Sequence, residues 1–140
     1  MNFPISAFIS TVAGILVIPC VHAAPYTWDA SGAAPPDDGG GSWNATGGTN
    51  WFSGTSYGAW GNTFSDVATF GVANGAAGTI SVGTVNANGI TFNAAGSGNY
   101  VLSGGTITLG GTTPTINAAV NANISSVLAG SAGMTKSGAG

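Results

Sequence analysis

Between Thr79 and Leu128 apolar and polar side chains alternate in short runs, each bounded by Gly or Asn. The runs are Thr79-Ile80-Ser81-Val82, Gly89-Ile90-Thr91-Phe92, Tyr100-Val101-Leu102, Thr106-Ile107-Thr108-Leu109, Thr115 to Val120 and Ile124 to Leu128. Period-two alternation of β-branched and aromatic residues predicts strands with one face buried. The intervening Asn86 to Gly89, Gly96 to Gly98, Gly104-Gly105 and Gly110-Gly111 predict turns. Strands recurring at a spacing near ten residues fit two architectures, a parallel β-solenoid or an antiparallel β-sandwich. Inward aliphatics with outward Thr, Ser and Asn suit the solenoid. Asn at 86, 88, 93, 99, 117, 121 and 123 is placed either for corner ladders or for ordinary turns.

The stretch before this region has a different pattern. From Tyr26 to about Tyr57, Trp and Tyr are separated by Pro35-Pro36, Asp37-Asp38-Gly39-Gly40-Gly41 and Gly47-Gly48, which leaves no room for a helix. All four Trp fall between Trp28 and Trp60. We therefore expect an aromatic head over residues 24–66 and a strand array over 67–140. Trp28, Trp43, Trp51, Tyr57 and Trp60 have two readings: a stacking platform for sugar rings, or a plug over the open end of the array. The plug accounts for them more simply, because the first coil of a solenoid otherwise exposes apolar side chains.

At the N-terminus an apolar run from Phe3 to Val21 ends in Val21-His22-Ala23-Ala24-Pro25. This reads as a secretory signal over residues 1–23, cleaved between Ala23 and Ala24. Pro19 before Cys20 fits acylation of that cysteine poorly, and a retained membrane anchor fits less well than a cleaved signal. Cleavage removes Cys20 and His22, the sole thiol and the sole imidazole. The mature chain then has no disulfide to compensate for a small core.

Composition narrows the chemistry. The chain of 140 residues holds 25 Gly, 22 Ala, 16 Thr, 14 Ser and 12 Asn, with only 4% charged residues and a net charge of -3. Glu, Arg and Gln are absent. Hydrophobic residues make up 44%, so disorder of the highly charged kind is excluded. Zinc sites, nucleophilic triads and phosphate-neutralising patches all need residues that this chain lacks. We expect no enzyme, no cofactor, no metal and no nucleic-acid partner. The four carboxylates Asp29, Asp37, Asp38 and Asp66 are the sole candidates for an acid–base pair on a glycosidic bond. Turn and strand-start positions explain them better. Asp37, Asp38 and Asn44 lack the spacing of a calcium loop. Asn44-Ala45-Thr46 and Asn123-Ile124-Ser125 are glycosylation sequons only in a eukaryotic source.

The segment Gly133-Met134-Thr135-Lys136-Ser137-Gly138-Ala139-Gly140 resembles the opening of the autotransporter-associated β-strand repeat, also called the passenger-associated transport repeat. Thr27-Trp28-Asp29, Asn50-Trp51, Asp66 to Phe70, Gly89 to Phe92 and Ile107 to Leu109 resemble the region that precedes the first repeat in such proteins. The resemblance implies a right-handed parallel β-helix passenger on a bacterial surface, secreted or exposed at the outer membrane. It also implies an N-terminal part of a longer repeat protein, with a structural or adhesive role. The partners it implies are a surface glycan or matrix, and copies of itself through exposed strand edges. Membrane contact would be confined to the signal segment or a C-terminal anchor. The alternative is a carbohydrate-binding module that uses the Trp-rich head.

Overall fold

The computed structural model describes residues 24–140, so the signal segment and Ala23 lie outside the described residues. Twelve strands and no helix are found among the described residues. The chain opens with β1 (Ala24–Trp28) and β2 (Gly41–Trp43), then makes a small hairpin of β3 (Trp51–Phe52) and β4 (Tyr57–Gly58). There follow β5 (Asp66–Phe70), β6 (Thr79–Ala87), β7 (Gly89–Phe92) and β8 (Val101–Leu109). The last four strands are β9 (Thr115–Ala118), β10 (Asn123–Ile124), β11 (Val127–Ala129) and β12 (Thr135–Ser137).

The strands alternate between two sheets. One runs β12-β9-β7-β5-β1-β3-β4 and the other β10-β8-β6-β2, with β11 also paired to β8. Every ladder is parallel except β1 with β3 and β3 with β4. Parallel pairing of each strand with the strand one coil later defines a β-solenoid of about three turns and removes the sandwich alternative. Only the hairpin departs from the pattern, because it folds back across β1 and closes the N-terminal edge of that sheet.

Alternation in the sequence sets which side chains stack inside. Ala68, Ile90 and Ile116 share one inward column, and Phe70, Phe92 and Ala118 the next. The rings of Phe70 and Phe92 stack at 5.5 Å with an 18° interplanar angle. In the second sheet Ile80 lies over Leu102, and Val85 over Ile107. Outward positions form matching columns. Thr27, Thr69, Thr91, Asn117 and Ser137 are in register across five successive strands, and Ser42, Ser81 and Ser103 across three.

Two of the expected turns are corners inside or between strands. Gly104-Gly105 lies within β8, where Gly104 takes φ 94°, so Val101-Leu102 and Thr106 to Leu109 belong to one bent strand. The left-handed φ that only Gly adopts readily lets the chain turn without interrupting its pairing with β6. Likewise Asn86 to Gly89 is only a one-residue break between β6 and β7. Local composition signals such a bend equally well whether the ladder stops or continues through it, and pairing with the neighbouring coil decides between the two.

The head also contributes to the array. β1 and β2 form the first coil, so the parallel ladder begins at Ala24.

Candidate functional site

The aromatic residues of the head converge. Trp28 ends β1, Trp43 ends β2, Trp51 opens β3 and Trp60 follows β4, so three strands of the head and the segment after the fourth each deliver one indole inward. Ring centroids are separated by 5.3 Å for Trp28–Trp51 and Trp43–Trp51, 5.1 Å for Trp43–Trp60 and 4.7 Å for Trp51–Trp60. Phe70 lies below them, 5.8 Å from Trp43 and 5.6 Å from Trp51. These edge-on and tilted geometries are the favourable ones for aromatic quadrupoles. The four indoles are 0–3% exposed, so their faces contact one another and the core.

Polar handles fix the cluster. Trp28 Nε1 donates to Gly39 O at 3.0 Å, and Trp60 Nε1 donates to Asn86 O at 2.9 Å. Trp43 Nε1 is buried without an acceptor. Tyr57 stands apart from the four indoles. Its ring packs on Phe52 at 5.0 Å, and its hydroxyl faces the Asp29 carboxylate. Burial and that carboxylate push the phenol above its ordinary range. Beside Trp51, a cavity of about 160 Å³ is lined by Tyr26, Ser53, Ser56, Gly58 and Ala59.

Three of the four carboxylates, Asp29, Asp38 and Asp66, are held by backbone N–H groups. Asp29 Oδ1 accepts from Ser31 N and Ser31 Oγ, both at 2.8 Å, and from Asp37 N at 3.1 Å. Burial pushes its carboxyl up, but donation from the Ser31 hydroxyl and from the Asp37 and Ser31 amides outweighs this and leaves it below the ordinary value. Asp38 accepts from Val72, Asn74 and Gly96 amides and from the Tyr100 hydroxyl. Asp66 accepts from Thr63 N at 2.7 Å, and Asp37 from Asn74 Nδ2 at 2.5 Å. Each carboxylate thus fastens a corner or the cap. Asp37-Asp38 reads from the sequence as an ordinary turn, whereas Asp38 is 7% exposed and bonded to two later coils. Partners 34 to 62 residues away leave no local sequence signal.

The outer faces carry the accessible chemistry. The hydroxyl and amide columns at Thr27, Thr69, Thr91, Asn117 and Ser137 contain no charge, and together they form a regular polar strip along the solenoid. Parallel strands about 4.8 Å apart give such a strip its repeat. Of the signal-cleavage pair, Ala24 opens β1, where its amide donates to Ser65 O at 3.1 Å.

These features define a parallel β-solenoid closed at its N-terminal end by an aromatic cap, with uncharged polar faces. The chain is 42% identical over 125 residues, 84% of its length, to the adhesin BmaC autotransporter of Brucella suis biovar 1 (strain 1330). The aligned stretch spans only 4% of that adhesin. No family model matches the chain, and no solved structure matches it.

Proposed function

We propose that this chain is a non-catalytic β-solenoid module of a bacterial surface adhesin of the autotransporter kind. The single observation that carries this is the 42% identity to an autotransporter adhesin over 84% of the chain. The fold supports it, because a stiff rod with uncharged Thr, Ser and Asn faces suits adhesive contact without catalysis. In this reading residues 1–23 direct export and are cleaved after Ala23. Residues 24–66 supply the aromatic head that closes the rod, and residues 67–140 supply the strands that lengthen it. Gly133 to Gly140 then begins a β-strand repeat that continues the same ladder in a longer protein. The outer polar faces meet host glycan or matrix.

The test is adhesion by the folded chain. Beads coated with the 140-residue protein should adhere to host cells and to immobilised matrix, and beads coated with heat-unfolded protein should not. Adhesion equal in the folded and unfolded samples, or absent on every surface tried, would remove the adhesive reading. Loss of glycan binding on Trp51→Ala with the fold intact would instead favour the head as a sugar-binding module.

A further inference from the structure

In a solenoid each coil normally touches only the coils before and after it, so stability is a sum of nearest-neighbour interactions and an end frays coil by coil. One corner of this molecule breaks that rule. Asp38 belongs to the first coil, between β1 and β2. Its Oδ1 accepts from Val72 N at 3.1 Å and its Oδ2 from Asn74 N at 2.9 Å, both in the second coil. Oδ2 also accepts from Gly96 N at 3.2 Å, and Oδ1 from Tyr100 Oη at 2.8 Å, both in the third. Tyr100 closes the circuit by accepting from Gly39 N at 3.2 Å. Other corner bonds, such as Ala73 N to Ala94 O and Asn88 Nδ2 to Gly110 O, join adjacent coils only.

We propose that the Asp38 carboxylate and the Tyr100 hydroxyl lock the first three coils into one cooperative block, so that the N-terminal end opens as a unit rather than one coil at a time. Asp38 and Tyr100 are 7% and 2% exposed, so the first coil cannot leave without withdrawing the one acceptor shared by the Val72 and Asn74 amides of the second coil and by the Gly96 amide and Tyr100 hydroxyl of the third. Leaving buried donors without an acceptor is more costly than losing a solvated contact. The second and third coils therefore gain little from staying folded once the first has left. Tyr100 is suited to this role. Burial, reinforced by the carboxylate, keeps its phenol protonated well above the ordinary range, so it remains a donor.

Native-state hydrogen exchange on the full chain tests the lock. In the unaltered protein, ladder amides of β1, β5 and β7 should exchange through one shared opening with one denaturant slope. Tyr100→Phe removes a single oxygen and should split them, with β1 amides exchanging about tenfold faster than those of β7, the factor expected from one lost charge-assisted bond. Asp38→Asn should split them further, and the neighbouring Asp37→Asn should leave them coincident. Separate openings for β1 and β7 in the unaltered protein would overturn the proposal. So would a Tyr100→Phe variant in which all three strands speed up equally. Should neither Asp38→Asn nor Tyr100→Phe fold, coincidence in the unaltered protein decides the matter alone.

Discussion

At the scale of single residues, the head is held by buried rings and by one carboxylate at each fastening point. Trp43 sits among Trp51, Trp60 and Phe70 with no exposed area, yet its indole N–H has no acceptor. We expect Trp43→Ala to cost about 3–5 kcal/mol, the usual cost of deleting a large buried aromatic. Trp43→Phe should cost distinctly less, because it keeps much of the ring packing and removes the stranded donor. Urea denaturation of the two variants checks the order. Asp29 carries a pH prediction. Its folded carboxyl lies below its unfolded value, so the unfolded chain takes up the proton first as pH falls. The stability it contributes is fully present above the ordinary carboxylate range and is lost as pH falls through the folded value. Melting temperatures compared at about pH 6 and about pH 3 should fall more for the native protein than for Asp29→Asn. An equal fall in both would assign acid sensitivity to other groups.

At the scale of elements, how much the sequence reveals depends on which contacts are local. The strands from β6 to β9 are legible because alternation directly records which face is buried, as in Thr106-Ile107-Thr108-Leu109. β1 and β2 are harder to see. Trp28 and Trp43 end short runs beside Pro and Gly, and the parallel partners of these two strands are β5 and β6, far along the chain. Composition points to the clustering of the Trp residues, but the corner made by Asp38 with Val72, Gly96 and Tyr100 leaves no such signal. An Asp pair in a Pro-Pro-Asp-Asp-Gly stretch looks like any turn. Register in β8 is nonetheless specified strongly enough to predict from. Ile107 is fully buried over Val85, whereas its neighbour Thr106 points outward beside Thr84. A one-residue slip would exchange their faces. Ile107→Ala should cost about 2–5 kcal/mol, and Thr106→Ala no more than about 0.5 kcal/mol. Chemical denaturation giving similar losses for both would contradict the register.

At the scale of the whole molecule, the two ends differ. The N-terminal end is closed by the β3–β4 hairpin and the indoles beneath it, which cover both apolar side chains and part of a strand edge. The opposite end presents β11 and β12 with their outer edges unpaired, together with Val127 at 60%, Leu128 at 39% and Met134 at 49% exposure. Unpaired edges beside apolar side chains are templates for adding another strand, and the sole cation at this end, Lys136, is turned back onto the carbonyls of Gly138 and Gly140. In a solenoid that lengthens coil by coil, this is the end at which the ladder can continue. In the 140-residue chain by itself, the same surface has a second copy as its nearest substitute. We therefore expect concentration-dependent association, visible by sedimentation velocity, that weakens when Val127→Lys and Met134→Lys place charge on the edge. Association unchanged in that double variant would move the contact to the polar faces, where the Thr27 to Ser137 column would be the next surface to alter. A monomer at every concentration would show instead that the short β11 and β12 are too irregular to template pairing.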